Sequence, residues 1–361
     1  MNNRFAFLEM DVSNDLLDDV PALRERFQRD SYLYFRGVLA DDKVRAVRRA
    51  MLGVTQRLGW TEPGDFPRSQ RCIVKPLREE DDEFIAGYQE VQKLQEFHEL
   101  AHDETLMGIM RAVLGDTAFP HPLKIARLAF PDHYEASTPP HQDYPNNQGT
   151  PNLTATWIPV GDLPPELGGL AILRGSARWG LLPVAGHIGA GNRCAVIPPD
   201  MAEECRWVTT EFAMGDVLVF PAYAVHASLH NVSEFFMRLS VDFRYQLEGE
   251  ALTPGCLEPH FRQLTWDQIY AGWDSDRYQY YWKDLDYQVV PFETIEIQGG
   301  GGLELGPEDF AEIIRYEQRV KARTARRMEA LGRQLDERER HSTTFERHQA
   351  VEAAEPAGAA E

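Results

Sequence analysis

The chain is short of three things, and each shortage excludes a set of functions. Cysteine is scarce: 361 residues contain only Cys72, Cys194, Cys205 and Cys256. No two of these have the spacing of a zinc knuckle or a redox CxxC pair, so four reduced thiols in a cytoplasmic protein are expected. Long apolar runs are missing: nothing approaches the roughly 18 apolar residues of a membrane span. The opening "MNNRFAFLEMDVSNDLLDDV" is acidic and does not read as a signal peptide. Positive charge is in deficit, with 37 Lys and Arg against 57 Asp and Glu and a formal net charge of -20. Nucleic acid and anionic membrane reward basic surfaces, so neither is expected as a partner. The charge says little about small-molecule ligands, because a basic pocket can sit inside an acidic protein.

What is present suits a globular protein. Hydrophobic residues make up 43% of the chain and charged residues 26%, enough to bury a sizeable core. "DDVPALRERFQRD" reads as an amphipathic helix and "SYLYFRGVL" as a strand. "ADDKVRAVRRAMLGVTQRLGW" carries apolar residues at helical spacing behind an acidic first turn. "EVQKLQEFHELAHDETLMGIMRAVLGD" reads as another helical stretch. From about Pro122 to Tyr245 short apolar or alternating runs are separated by Pro, Gly, Asn and Asp, the texture of a β sandwich or barrel. The expected class is α+β with a mainly β core.

Past Tyr245, "WDQIYAGWDSDRYQYYWKDLDYQVV" is dense in Trp, Tyr and Asp. It fits packing or an interface better than a lid. "LGPEDFAEIIRYEQRVKARTARRMEALGRQLDERERH" reads as a long charged helix, and "AVEAAEPAGAAE" as a disordered tail. The expected division is 1–248 as the main domain with its N-terminal helices, 249–345 as an aromatic-rich and helical extension packed on it, and 346–361 as the tail. The extension offers a surface through which copies could form a homo-oligomer.

Candidate chemistry starts at "STPPHQDYPNNQGT", which holds His141-Gln-Asp143. A chain with eleven histidines produces such pairs by chance, and His102-Asp-Glu104 and His133-Tyr-Glu135 are two more. His102 lies in a helical pattern, where residues i and i+2 face different ways. His133-Glu135 follows an apparent turn and has no geometric objection. A facial triad of two His and one carboxylate needs a third ligand from a distant strand. Downstream, "GDVLVF" is a turn and a β run, and His226 follows it. Twelve residues beyond is Arg238, between Met237 and Leu239 on an apolar run. A guanidinium there is costly unless paired. Either a buried anionic ligand or a protein carboxylate could pair it.

These stretches together resemble the phytanoyl-CoA dioxygenase family: His141-Gln-Asp143, "TATWIPVGDLPPELGGLAILRGS", "GDVLVFPAYAVHAS" and Arg238. The N-terminal "DSYLYFRGVLADDKV" resembles the family too, and the likeness runs roughly from Arg29 to Tyr245. It implies a double-stranded β-helix, or jelly roll, flanked by helices, with iron(II) and 2-oxoglutarate as cofactor and co-substrate and O2 as oxidant. His141, Asp143 and His226 would be the metal ligands and catalytic centre. Arg238 would bind the distal carboxylate of 2-oxoglutarate, with Ser228 beside it. Trp157 would be a nearby aromatic, and Lys124 a further polar contact to the co-substrate. His230 is a less fitting second histidine than His226, because it lies only eight residues before Arg238. Arg174-Gly-Ser-Ala-Arg178 departs from the family's Pro-Gly-Ser-His at a turn on the substrate side. Related halogenases have Ala or Gly where this chain has Asp143, so oxygen transfer is implied rather than halide transfer.

The expected activity is therefore oxidation, most simply hydroxylation, of an unactivated C–H of a small metabolite, a secondary-metabolism intermediate, with release of succinate and CO2. Desaturation and cyclisation are known variants of this chemistry. A cupin-like isomerase, or a dioxygenase that does not use 2-oxoglutarate, would keep the triad and have no need of Arg238. A non-catalytic jelly-roll binding protein would not need the triad at all. The residues do not specify the substrate. Tyr144, Asn146, Asn147 and Gln148 could line a pocket mouth or make a plain turn.

Overall fold

In the computed structural model, each strand's side chains alternate between two environments, and that alternation builds the site. The structure describes residues 7–79, 81–131, 137–186 and 193–298. All lie within one compact unit, Met1–Phe310. The long charged helix and the tail expected from the sequence lie outside the described residues, as do His133 and Glu135.

In chain order the elements are β1 (Leu8–Glu9), α1 (Val20–Asp30), β2 (Leu33–Phe35), α2 (Asp41–Arg57), α3 (Asp82–Gln92), α4 (Gln95–Leu100), α5 (Glu104–Val113) and β3 (Ala118–Ala129). Then come α6 (Tyr144–Asn147), β4 (Thr154–Pro159), β5 (Leu170–Leu173), β6 (Val184–Gly186), β7 (Arg193–Ala195), α7 (Pro199–Glu204), β8 (Trp207–Thr209), β9 (Val217–Pro221), β10 (His226–Ser228) and β11 (Arg238–Leu247). Last come β12 (Ala251–Leu252), α8 (Trp266–Tyr270), β13 (Gln288–Val289) and β14 (Ile297–Gln298). The fold is mixed, with a mainly β centre.

The stretch expected as one helix from Glu90 to Asp116 is broken up. α3 stops at Gln92, and a fresh helix starts behind Asp103, whose carboxylate accepts from the amides of Thr105 and Leu106. That is an N-cap satisfying amides that have no partner within the helix. His102 sits in the turn before this cap, not on a helix.

The larger sheet is antiparallel, in the order β2-β9-β4-β11-β3. One of its faces carries Leu33, Phe35, Val217, Val219, Leu239, Val241 and Phe243, packed with residues of α2 to α5 such as Met51, Phe97 and Leu106. The other face carries Tyr34, Trp157, Leu218 and Phe220. It packs against Leu170, Ile172 and Val208 of a smaller sheet ordered β1-β8-β5-β10. Successive residues of a strand point to opposite faces. Arg238, Ser240, Asp242 and Arg244 therefore share the inner face, between the sheets.

The aromatic-rich stretch after Tyr245 is packing. Ile269, Tyr270 and Trp282 are buried together against Trp266, Trp273 and Tyr280. Among the described residues, no helix is long and apolar enough to cross a membrane.

Candidate active site

Two histidines meet by backbone pairing. His141 and His226 exchange both main-chain hydrogen bonds, 2.9 and 3.0 Å, as an isolated antiparallel bridge that extends β10. Residues directly opposite in such a pair project their side chains to the same side. The two rings lie 4.1 Å apart, centre to centre. The i, i+2 spacing places Asp143 on the same side. Gln142, between them, points away and is fastened at both ends of its amide. Its nitrogen donates to the carbonyls of Gly180 (2.8 Å) and Tyr223 (2.7 Å), and its oxygen accepts from the Leu182 amide.

The ring tautomers suit ligation. Nδ1 of His141 lies 2.8 Å from the Pro139 carbonyl, and Nδ1 of His226 lies 3.0 Å from that of Ala224. A ring that donates through Nδ1 to a carbonyl presents Nε2 as a free lone pair. Both Nε2 atoms are 3.9 Å from Oδ1 of Asp143. Among the described residues, this is the one His/Cys/Asp/Glu group with ligand atoms close enough to hold a metal, all within 4.8 Å of one another. Burial and the neighbouring His226 push His141 down to about 3, and burial also lowers His226, so both rings stay neutral at physiological pH. Burial works against the charged form of Asp143. The Arg244 guanidinium, with the two histidines, outweighs it and holds the carboxyl below the usual carboxylate range. Two neutral imidazoles and one carboxylate on one face are the donor set of a non-haem iron(II) centre with open positions.

The cavity beside this cluster is lined by His141, His226, Trp157, Ser228 and Arg238, with Phe220 and Leu170 as apolar wall. Arg238 is 4% exposed. Its Nη1 donates to Ser228 Oγ (2.9 Å) and to the carbonyls of Gly168 (3.2 Å) and Leu229 (3.3 Å), while its Nε has no partner. Among the described residues no carboxylate pairs with it. Burial, aided by Arg127, lowers its affinity for its proton, to about 10. A buried cation with only neutral acceptors and one orphaned donor calls for an anion. A 2-oxo-dicarboxylate fits that need.

The structure thus brings His141, Asp143, His226, Arg238, Ser228 and Trp157 to one place. It does not bring Lys124 there. Lys124 faces Phe243 across the β3–β11 ladder, on the helix side of the sheet. Its ammonium donates to the His121 carbonyl and the Tyr281 hydroxyl, both at 3.2 Å. His230 is held by Ser137 Oγ at 2.6 Å, outside the cluster, and His102 stacks on Tyr278. The Tyr144–Asn147 run is a helical turn and does not line the cavity. Arg174 is engaged with Asp30 and Asp11, and Ser176 Oγ accepts from the Val225 amide, bracing the entry to β10. Sequence reasoning missed Arg127, Asp242 and Arg244. Arg127 pairs with Asp242 at 2.8 Å, and Arg244 with Asp143. The signal was there in "RLSVDFRYQ", where charges recur on the face of Arg238.

The phytanoyl-CoA dioxygenase family model matches residues 27–240, more than half the chain. The chain belongs to that family. It is similar to the 1-deoxypentalenic acid 11-beta-hydroxylase of Streptomyces arenae, 29% identical over 66% of this chain and 87% of the relative. The enzyme of that name from Streptomyces exfoliatus is 26% identical over the same shares. Among solved structures it is similar to the epimerase SnoN in complex with Fe3+, alpha ketoglutarate and nogalamycin RO. That likeness has 18% identity and a TM-score of 0.47, and covers 66% of this chain and 87% of that one.

Proposed function

We propose that the protein is an iron(II)- and 2-oxoglutarate-dependent oxygenase that hydroxylates an unactivated C–H bond of a small secondary metabolite. The observation that carries this reading is the buried Arg238, without a carboxylate partner among the described residues, opening into the same cavity as the His141/Asp143/His226 cluster. The two sheets and their helices correspond to the jelly roll of such enzymes, with the described residues between 249 and 298 packed on it.

His141, Asp143 and His226 would hold iron(II). The bound metal with 2-oxoglutarate and O2 supplies the oxidant: one oxygen atom enters the substrate as hydroxyl, the other enters succinate, and CO2 leaves. Arg238 and Ser228 bind and orient the distal carboxylate of the co-substrate. Trp157, Phe220 and Leu170 exclude water from the reacting C–H. Asp143 fills the third protein position, which argues against halide transfer. The hydroxylase activity for which the two Streptomyces relatives are named supports hydroxylation over desaturation or cyclisation. The apolar walls suit a small hydrophobic skeleton.

Anaerobic loading with iron(II) and 2-oxoglutarate, then aeration and succinate measurement, tests the reading. Wild type should form succinate and Arg238→Leu should not. A variant that turns over unchanged would favour a cupin-like enzyme that does without 2-oxoglutarate.

A further inference from the structure

β11 carries two buried arginines on its inner face, and they have opposite surroundings. Among the described residues Arg238 has no acidic partner, whereas Arg244 is committed to one. Its Nη2 donates to Oδ1 of Asp143 at 3.1 Å and its Nε to Oδ2 at 3.2 Å. The side chains are 6% and 3% exposed. A two-point guanidinium–carboxylate contact fixes the plane of the carboxylate as well as its position. The oxygen held by Nη2 is the one 3.9 Å from both histidine Nε2 atoms, and the other oxygen accepts from Nε.

We propose that Arg244 is a positioning residue for the metal centre: it presents Asp143 through Oδ1 alone and keeps Oδ2 from the metal. This rests on the reading of the cluster as an iron site. Three consequences follow from the geometry. A one-oxygen carboxylate leaves three coordination positions open, as a bidentate co-substrate plus O2 requires. The guanidinium compensates the buried carboxylate before any metal arrives, so the site is assembled in advance. Nη1 of Arg244 makes no hydrogen bond and stands 4.0 Å from Asp242, so both hydrogen bonds of this guanidinium go to Asp143.

The test is metal affinity, read on the full chain without turnover, by equilibrium dialysis of iron(II) under anaerobic conditions. Arg244→Gln should raise the iron(II) dissociation constant about 10- to 100-fold, the usual effect of removing a group that orients a ligand. Arg244→Lys keeps the charge but not the two-point contact, so it should recover only part of that loss. Added methylguanidinium should restore affinity to Arg244→Ala, while ammonium at equal ionic strength should not. Lys124→Met removes a buried cation on the opposite face of the same sheet, outside the site, and its affinity should match wild type. Full recovery by lysine would overturn the proposal in favour of charge alone. Equal losses in the Lys124 and Arg244 variants would overturn it in favour of general damage to the sheet. If wild type itself binds no iron(II), the oxygenase reading fails instead. If wild type and Arg244→Gln bind equally, this proposal alone fails.

Discussion

At the scale of single residues, charge decides the outcome. Among the described residues Arg238 meets only neutral acceptors, so its task is defined by the anion it calls for. Arg238→Leu should remove co-substrate binding, and titration of 2-oxoglutarate into the anaerobic iron(II) protein would show this as lost saturation. Acid sensitivity follows from the buried histidines. Burial pushes His98 and His141 down to about 3 and His121 to about 4, from an ordinary 6.5. As pH falls through 6.5 the unfolded chain takes up these protons first, so stability present above 6.5 is lost toward 4 and below. Urea midpoints of the metal-free protein should therefore drop between about pH 7.5 and about pH 5, and equal midpoints would contradict the burial argument. His141 and Asp143 were legible as ligands only once His226 and Arg238 were set beside them. The Arg244–Asp143 contact was not, because no spacing rule links positions 101 residues apart.

At the scale of elements, strand parity separates residues that sequence alone does not. β3 is buried on both faces over most of its length, so its residues show no alternation of polar and apolar. Lys124 could not be assigned a face from them. The ladder assigns it to the helix side, where burial lowers its affinity for its proton to about 7. Lys124→Met should leave the KM for 2-oxoglutarate unchanged. It should also leave neutral-pH stability equal or higher, since a buried cation without a carboxylate gives way to an apolar chain of similar reach. A large rise in KM would return Lys124 to the site. Gly168 shows the opposite dependence, on backbone. Its φ is +67°, a Cβ would sit 2.3 Å from the Leu229 carbonyl oxygen, and its own carbonyl accepts from Arg238. Gly168→Ala should cost about 1–3 kcal/mol from the left-handed conformation alone, with more from the clash. It should also weaken 2-oxoglutarate binding, measured by thermal melting and by KM. The broken helix between Glu90 and Asp116 was hidden because its apolar spacing continues across the Asp103 cap.

At the scale of the whole molecule, the mainly β centre and the helical N-terminal half were readable from texture and periodicity. The dependence of the centre on the C-terminal stretch was not, because it runs through single contacts between distant segments. Gln148, five residues after the last triad residue of its loop, exchanges two hydrogen bonds with the backbone of Glu293, 2.8 and 2.7 Å. Thr253 donates to the Asn147 carbonyl at 2.7 Å. A chain ended after Glu248 would lose these ties and expose the apolar surface of Phe119 now covered by Leu252 and Cys256. We expect it to melt well below the full chain or to aggregate, and an unchanged melting temperature would contradict this. The central claim is that the cluster and Arg238 form one iron and 2-oxoglutarate site. A crystal structure grown anaerobically with both tests it most directly. The account predicts iron on Nε2 of His141 and His226 and on Oδ1 of Asp143, with the distal carboxylate of 2-oxoglutarate on Arg238 and Ser228. Metal bound elsewhere, or a co-substrate that leaves Arg238 untouched, would contradict it.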